Sequence, residues 1–513
     1  ATHTHAGPGR LIDKPLWRII QDVFWPEFYE RVLDGLEATV VAAVDDLEPA
    51  RLGTAVAETT ALHGDRRCAN PPETDPALPI LRIDRADGTL KGLVLFHSIH
   101  GTVLSMRDAT LSQDVTGAIE AKVAESFEDP VFVMFMNGAA ADVSPSSPGF
   151  PAEPDAAPWP EPYTRTELIG RAAAEVVQAA AGAIETHTDV VLHSRTARVP
   201  LNRQVLGYPD GLFPFEHGAV YCGVAQEERC VDEAPYSTEL LRGCLPFPDA
   251  ENSAPTQAPL TVGQIDGLGF ITTPGEFSVS LGRVAREAAE EALGLPVVIM
   301  GYAQEYTGYS LTEEDWWHAG YEASGALWGP RQGDWLARAI SSLARSYANP
   351  RLPLAFADQA PLPPRAPADF EPFSVQPSVE APIILAEVGD LAPADVATFA
   401  FSGGDPWLGN PIVHLEQRDE AGEFHPVHLG GQPVTSDGYV ITLTLEPEPP
   451  YAEEAEARRL RWIATMPAVR PFGGGPALRG GTFRFVAEGR ALVVGDAEPQ
   501  RYRLAGAPFQ VAP

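Results

Sequence analysis

The sequence predicts an α/β catalytic domain, a mixed sheet with flanking helices, followed by a C-terminal immunoglobulin-like β-sandwich. Short apolar runs typical of buried strands alternate with helical stripes, and polar residues follow each run where the strand would end. After a proline-rich stretch the pattern changes to short alternating segments, which is typical of a sandwich. The predicted boundaries are residues 1–348 for the catalytic domain, 349–382 for the linker and 383–513 for the sandwich.

Composition indicates a globular protein and excludes two classes. Of the 513 residues, 44% are hydrophobic and 21% are charged, as in ordinary globular domains. The sequence has no uncharged apolar run of about 18 residues, so no transmembrane segment is predicted. Its 36 basic and 70 acidic residues give a net charge of −34, which would repel a nucleic-acid backbone. We therefore predict no nucleic-acid partner and interpret the acidity as an aid to solubility or an adaptation to salt.

The first part of the chain contains a predicted helix, a hairpin and a buried strand. Apolar residues at helical spacing predict a helix over residues 25–47, and a DG turn at 87–88 joins predicted strands over 80–84 and 90–99. The second of these strands ends in HSIHGT at 97–102. A strand over 131–136 ends in NGAAADVSP at 137–145, and a helix follows over 164–184. Two strand ends therefore carry polar residues.

The same order recurs further along the chain. A strand over 268–272 ends in TPGEF and is followed by a helix through residue 293, and a strand over 297–300 ends in GYAQEYTGY. Because open α/β sheets bind ligands at the carboxyl ends of their strands, we expect these ends along one sheet edge. Beyond the linker, the predicted sandwich strands are 396–401, 412–417, 439–445, 459–464 and 482–486.

Each polar strand end is ambiguous alone. The pair His3 and His5 suits a metal, but such pairs are common by chance. Glu276 could be a helix N-terminal charge, YTGY could be core aromatics, and DVSP could be an ordinary turn. Together, however, two imidazoles and a carboxylate are typical of a catalytic zinc with an open position, where water becomes nucleophilic near neutral pH. The combination therefore predicts metal-dependent hydrolysis.

Five motifs occur in order along nearly the whole chain: THTHAGP at 2–8, HGT at 100–102, ADVSP at 141–145, TPGEF at 273–277, and YTGY at 306–309 with its continuation to residue 330. Together they resemble the neutral ceramidase family, zinc amidases that hydrolyse ceramide to sphingosine and a fatty acid. The C-terminal region also resembles the domain appended in that family. The resemblance implies a Zn²⁺-dependent amidohydrolase of sphingolipid metabolism that cleaves the N-acyl amide bond of ceramide or a related N-acyl lipid.

The resemblance also implies a set of zinc ligands. They would be His3, His100, Glu276 and Tyr309. The second histidine of the opening motif, His5, would lie beside the zinc and steady the reacting carbonyl.

Three further residues acquire roles from the resemblance. Ser144 matches a serine that is one candidate for the nucleophile, and water activated by the zinc is the other. Arg66 and Tyr321 match residues that contact the substrate.

Departures from the family pattern lie near the substrate rather than the metal. Ala141 replaces a usual Gly, Ser146 a usual Asn and Trp328 a usual Tyr, and an Asn-Arg-Ser element reads Asp65-Arg66-Arg67. Two alternatives therefore stay open. One is a hydrolase of the same superfamily that acts on a different amide or ester, and the other is a catalytically inactive binding module.

The resemblance implies a lipid or N-acyl amide substrate, with a membrane surface as one candidate location, and a secreted, cell-surface or periplasmic protein. The sequence opens on ATHTHAGPG without an initiator Met, and such a turn normally follows a buried strand, so we expect one or more strands upstream. Cys222 and Cys230 predict either a small disulfide loop or free buried thiols.

Overall fold

The structure, a computed structural model, describes residues 1–7, 9–14, 24–67, 72–104, 112–147, 149, 161–209, 211–222, 241, 243–250, 252–362, 375–392, 395–429, 432–437, 440–448, 457–467, 478 and 480–512. Up to residue 348 the helices are α1 Pro26–Asp45, α2 Asp114–Glu125, α3 Glu161–Ala181, α4 Val279–Leu293, α5 Glu313–Trp317, α6 Tyr321–Ser324 and α7 Gln332–Ala348. The strands are β1 Ala50–Glu58, β2 His63–Asp65, β3 Ala77–Arg85, β4 Leu90–His97, β5 Phe132–Asn137, β6 Val143–Pro145, β7 Leu192–Pro200, β8 Ala219–Val220, β9 Leu245–Pro246, β10 Gln257–Ile265, β11 Leu268–Thr272, β12 Glu276–Phe277, β13 Val297–Met300 and β14 Tyr309–Ser310.

Two four-stranded mixed sheets organise this part of the chain. The first has the order β1-β3-β4-β5, with β4 and β5 parallel, and the second has the order β13-β11-β10-β7, with β13 and β11 parallel. Helices α2 and α3 contact the first sheet, whereas α4 and α7 contact the second. The mixed α/β architecture is confirmed. The expectation that all the polar strand ends share one edge of one sheet is wrong, because the strands divide between two sheets.

The two sheets meet at the carboxyl ends of their parallel strands. The Gly301 backbone N–H, just after β13, donates to the carbonyl of Asn137, the last residue of β5, at 2.8 Å. A Cβ on Gly301 would collide with the Gly138 carbonyl oxygen, so only glycine fits here. The Asn137 amide nitrogen also donates to the carbonyls of Ile99 at 2.8 Å and Thr2 at 3.2 Å. Polar strand ends from both sheets therefore gather in one place.

Local elements largely follow the sequence patterns. The β3–β4 hairpin turns at Gly88, whose φ is 88°, and β11 and β13 have the predicted bounds. Helix α1 forms where predicted, but none of its residues is buried, and Leu36, Val40 and Val44 of its apolar stripe are exposed. Each helix in the described ranges is too short or too polar to span a bilayer.

Beyond residue 382, two antiparallel sheets share one core. The strands are β15 Ile384–Ala386, β16 Val396–Gly403, β17 Ile412–Arg418, β18 Phe424–Pro426, β19 His428–Leu429, β20 Gln432–Pro433, β21 Thr442–Glu448, β22 Arg459–Pro467, β23 Gly481–Ala491, β24 Gln500–Ala505 and β25 Phe509–Val511. One sheet has the order β15-β16-β22-β21, and the other has β18-β17-β23-β24 with β25 also on β23. Phe399 and Trp462 of the first sheet and Phe485 of the second belong to the same buried cluster. The predicted strand over 439–445 begins at Thr442; residue 439 and linker residues 363–374 lie outside the described residues.

The disulfide bond joins Cys222 to Cys244. The predictions of a Cys222–Cys230 loop or of a free thiol at Cys222 are therefore wrong; Cys230 itself lies outside the described residues. The cause is the antiparallel pairing of β8 with β9, which sets Val220 opposite Leu245 and brings the neighbouring cysteines together. Strand pairing, rather than closeness in sequence, selects the partner.

Candidate active site

The opening segment, residues 1–7, lies against the turn that follows β4. A parallel bridge pairs Thr4 with Gly101, and the His5 backbone N–H donates to the Gly101 carbonyl at 2.9 Å. A Cβ on Gly101 would lie 2.8 Å from the His3 carbonyl oxygen, so this close approach requires glycine. The bridge brings His3 and His5 next to His100.

His3, His5 and His100 form a cluster of imidazoles. Their candidate ligand nitrogens lie within 4.8 Å of one another, and His5 Nε2 is 3.2 Å from the Nε2 atoms of both His3 and His100. The Nδ1 of His100 donates to the Ala140 carbonyl at 2.8 Å, because a carbonyl can only accept. This bond leaves Nε2 of neutral His100 without a proton and facing the cluster, as in a metal-binding histidine.

Glu276 adds a buried carboxylate to the cluster. Its Oε2 is 3.3 Å from His3 Nε2 and 3.8 Å from His100 Nε2, while its Oε1 accepts a hydrogen bond from the Tyr306 hydroxyl at 2.6 Å. Although Glu276 is buried, Oε2 makes no hydrogen bond of normal geometry with the residues described. A buried charged oxygen next to the unprotonated Nε2 of His100 is costly unless a cation lies between them. This donor set therefore fits a metal ion.

The protonation states suit metal binding. Burial lowers the pKa of His100 to about 3, and partial desolvation together with the neighbouring His3 lowers the pKa of His5, which keeps an exposed edge, to about 4. Burial by itself raises the pKa of Glu276, but the imidazoles of His3 and His100 and the Tyr306 hydroxyl outweigh it and lower that pKa to about 2. Near neutral pH the cluster therefore offers neutral His5 and His100 and an ionised carboxylate, the forms that bind metals.

Tyr309 lies beside Glu276 because the strands that carry them pair. The register of parallel β12 and β14 sets Glu276 opposite Tyr309. The Tyr309 hydroxyl accepts a hydrogen bond from the Arg66 guanidinium at 3.3 Å, and its ring meets that of Tyr321 edge-on, with centroids 5.5 Å apart. Burial raises the pKa of Tyr309 well above its usual value, so the free hydroxyl keeps its proton.

Arg66 and Tyr321 lie at the edge of the same site. The Arg66 Nε donates to Glu322 Oε1 at 2.8 Å, and its guanidinium carbon is 5.9 Å from the centroid of the Tyr321 ring. Tyr321 is 56% exposed, whereas Glu322 is buried. Of the two residues expected to contact substrate, Tyr321 thus lies at the surface and Arg66 lies next to Tyr309.

Ser144 lies on a neighbouring strand, β6, which pairs antiparallel with β2 and sets Ser144 opposite Gly64. Its side chain is half-buried, and within the described part of the chain no hydrogen bond joins its hydroxyl to the three histidines. Asp142, two residues earlier, is buried and accepts a hydrogen bond from the Val279 backbone N–H at 2.8 Å. Burial raises the pKa of Asp142 to about 7. These contacts give Ser144 no direct link to the histidine cluster.

Tyr302 and Glu322 are side chains at the site to which the sequence analysis gave no role. The Tyr302 ring stacks on His3 with centroids 4.2 Å apart, and Glu322 holds Arg66. Both are neighbours of residues that the motifs singled out, since Tyr302 opens the polar end of β13 and Glu322 follows Tyr321. The sequence offers one signal for Tyr302, namely an aromatic residue directly after a strand and a glycine. That signal does not reveal that the Tyr302 ring stacks on His3.

Comparison with known proteins shows which family the chain resembles. Residues 1–154 match the family described as neutral/alkaline non-lysosomal ceramidase, N-terminal. The neutral ceramidase of Pseudomonas aeruginosa is 25% identical over 382 residues, which cover 64% of this chain and 56% of that protein. The chain is therefore similar to the neutral/alkaline ceramidase family, and the family match covers residues 1–154.

Other ceramidases are also similar to this chain. The neutral ceramidase of Mycobacterium tuberculosis is 26% identical over 413 residues, or 68% of this chain and 63% of that protein. The chain thus spans less than two thirds of the length of either curated ceramidase. A solved structure described as "Ceramidase complexed with C2" matches 100% of this chain and 85% of its own, with a TM-score of 0.76 and 19% identity. The crystal structure of the Pseudomonas aeruginosa neutral ceramidase gives 0.75 at 20% identity, over 100% and 84% of the two chains, so the ceramidase fold is shared.

Proposed function

We propose that this chain cleaves the N-acyl amide bond of ceramide or a related N-acyl lipid, to a sphingoid base and a fatty acid, with bound zinc. The observation that carries the proposal is the buried Oε2 of Glu276, which faces the Nε2 atoms of His3 and His100 without a normal hydrogen bond. Catalytic zinc takes histidine and carboxylate ligands and keeps one position open. The neutral ceramidases that resemble this chain support the choice of substrate class.

The proposed ligands are held by the fold before any metal binds. They are His3, His100, Glu276 and Tyr309. The Ala140 carbonyl orients the His100 ring, and strand pairing sets Glu276 beside Tyr309. When bound, zinc would polarise the scissile carbonyl and make water a stronger nucleophile near neutral pH.

His5 and Tyr306 would stabilise the charges that lie near the reacting amide. Neutral His5 carries one ring N–H and would donate a hydrogen bond to the carbonyl oxygen as that oxygen gains charge. The Tyr306 hydroxyl donates to Glu276 Oε1 and fixes the carboxylate. Water is our preferred nucleophile, since no described contact joins Ser144 to the cluster, and Ser144 is the alternative.

Arg66 and Tyr321 are proposed to contact the polar headgroup. Arg66 is held against Tyr309 by Glu322, and exposed Tyr321 lies at the entrance. Both groups can bond hydroxyl and amide oxygens. The lipid would meet the enzyme at a membrane surface, outside the cell or in the periplasm. We retain residues 1–348, 349–382 and 383–513 as the proposed domains, with an immunoglobulin-like sandwich as the last.

A second candidate is hydrolysis of a different amide or ester. The observation that favours it is Arg67, which stands where the family pattern has Ser. Its side chain is buried and donates to the Asp315 carbonyl at 2.8 Å, with Nε 3.8 Å from Glu322. The guanidiniums of Arg66 and Arg67 both lie near Glu322, so charge is concentrated on this side of the site, which suits a more polar substrate than ceramide.

The test compares zinc content and fatty-acid release from ceramide in the parent and in Glu276→Ala. Glu291→Ala, at an exposed position of α4, is the matched control. We expect about one equivalent of zinc and ceramide cleavage in the parent and the control, and loss of both in Glu276→Ala. Zinc without ceramide cleavage would favour the second candidate, to be followed with other N-acyl amides and esters. A parent without zinc would contradict the proposal and favour a binding module.

A further inference from the structure

Tyr302 occupies a strained position directly after β13 and Gly301. Its φ is 54°, in the left-handed region that aromatic residues seldom adopt. Its backbone N–H donates to the Gly275 carbonyl at 3.3 Å, which ties it to the residue before Glu276. Strained residues of this kind concentrate at functional sites, where the surrounding structure holds them in place.

The Tyr302 side chain connects His3 to the rest of the site. Its ring lies over the His3 imidazole, with centroids 4.2 Å apart and planes inclined by 23°. The same side chain packs against the buried cluster that contains Ala140 and Val279. Since the Ala140 carbonyl also orients His100, the two histidines are supported by one segment of the chain.

The two histidines nevertheless differ in how their rings are fixed. His100 donates through Nδ1 to a carbonyl, the usual way in which a metal-binding imidazole is oriented. In the ranges that the structure describes, no carbonyl or carboxylate accepts a hydrogen bond from Nδ1 of His3. The described polar contacts of the His3 ring involve Nε2, towards His5 and Glu276. The His3 ring meets the rings of His5 and His100 edge-on, and the Tyr302 ring is the stacked contact that can fix its plane.

We propose that Tyr302 is a positioning residue, whose aromatic ring holds the His3 imidazole in the orientation in which Nε2 binds the metal. The inference rests on the proposed metal centre and assigns the effect to the ring, not to the hydroxyl. The Tyr302 hydroxyl is buried and lacks a hydrogen-bond partner among the described residues. A buried, unpaired hydroxyl is unfavourable, so phenylalanine should fold at least as well here.

The test compares Tyr302→Phe, which keeps the ring, with Tyr302→Leu, which keeps apolar volume without it. Both variants bear the same backbone strain, so it cancels in the comparison. The affinity for Zn²⁺ alone is measured by competition with a chromophoric chelator, and the visible spectrum of the Co²⁺-loaded chain reports ligand geometry. We expect Tyr302→Phe to match the parent within about twofold, and Tyr302→Leu to bind Zn²⁺ about 10- to 100-fold more weakly with an altered cobalt spectrum.

Melting of the metal-free variants shows whether a loss of affinity reflects a loss of fold. Equal melting temperatures with unequal affinities would support the positioning role, and Tyr302→Met replaces the leucine variant if that variant does not fold. Equal Zn²⁺ affinity in the phenylalanine and leucine variants would overturn the inference about Tyr302 while leaving the metal centre intact. A parent chain that binds no Zn²⁺ would overturn the inference and the proposed function together.

Discussion

Glu276 and Tyr309 stand opposite each other in the parallel pairing of β12 with β14, so their side chains leave the sheet on the same side. His5 approaches the same cluster from the opening segment, 3.2 Å from the Nε2 atoms of His3 and His100. Two chemically different groups, a phenol and an imidazole, are therefore available to complete the ligand set.

We predict that Tyr309→Phe lowers Zn²⁺ affinity by at least about tenfold, because it removes a proposed ligand oxygen.

His5→Gln should keep the metal but lower kcat about 100-fold, as expected for a group that stabilises charge on the carbonyl oxygen. Chelator competition and steady-state kinetics measure the two effects. If His5→Gln loses the metal while Tyr309→Phe retains it, the two roles must be exchanged.

Glu322 offers a second prediction. This buried carboxylate accepts a 2.8 Å hydrogen bond from Arg66, so Glu322→Gln should release the guanidinium from its position beside Tyr309. We expect the free energy of unfolding to fall by about 3 kcal/mol and KM to rise more than kcat falls. Glu488→Gln is the control, because the exposed Glu488–Arg503 pair should contribute less than about 1 kcal/mol. An unchanged KM in a folded Glu322→Gln variant would argue against the positioning of Arg66.

The buried pair His63 and His97 predicts a pH effect. His97 Nδ1 donates to the Ala77 carbonyl at 2.8 Å, so its Nε2 accepts from His63 Nδ1 at 3.0 Å. Burial lowers the pKa of His63 to about 3, whereas the unfolded value is about 6.5. Between these values the unfolded chain binds more protons than the folded chain, so stability is lost as pH falls below about 6.5.

The measurement is the free energy of unfolding of the metal-free chain from pH 7 to pH 4. Relative to the parent, His63→Gln should show a smaller loss of stability over this range, because one buried imidazole no longer resists protonation. His425→Gln, at an exposed histidine, should follow the parent curve. Identical slopes for the parent and His63→Gln would show that the His63 pKa is not depressed.

The disulfide gives a fourth prediction. Peptide mapping without reduction should recover Cys222 linked to Cys244, and Cys230→Ser should leave that link intact. Cys244→Ser should lower the free energy of unfolding by about 3 kcal/mol, because the bond closes a loop with a sequence separation of 22 residues. Recovery of Cys222 linked to Cys230 would refute the pairing of β8 with β9.

Local patterns in the sequence were enough to place most elements. The DG turn and its flanking apolar runs predicted the β3–β4 hairpin, and the TPGEF end of β11 predicted a polar group at Glu276. These signals act over about ten residues, where periodicity and turn chemistry dominate. Proximity of Glu276 to His3 required more, namely the motif resemblance.

Contacts between segments that are far apart in the chain could not be predicted from the sequence. The division of the strands into two sheets, the choice of Cys244 by Cys222 and the stacking of Tyr302 on His3 each depend on non-local packing. Helix α1 shows that even a correctly predicted element leaves its packing unknown. Its apolar spacing predicts a helix, yet Leu36 and Val40 are exposed, so periodicity alone does not say what covers a face.

The contacts that fasten the opening segment include the Thr4–Gly101 bridge, the Thr4 hydroxyl on the Ser112 carbonyl at 2.8 Å, the Ser112 N–H on the Ala6 carbonyl at 3.0 Å and the stacking of Tyr302 on His3. Local opening of this segment would break them as one unit. Such an opening would carry away His3 and His5 together and leave His100 and Glu276 behind. A metal that binds only the closed form would suppress it in proportion to its affinity and concentration. Metal release and detachment of this segment would then be a single thermodynamic event, and amide exchange in residues 1–7 would measure both.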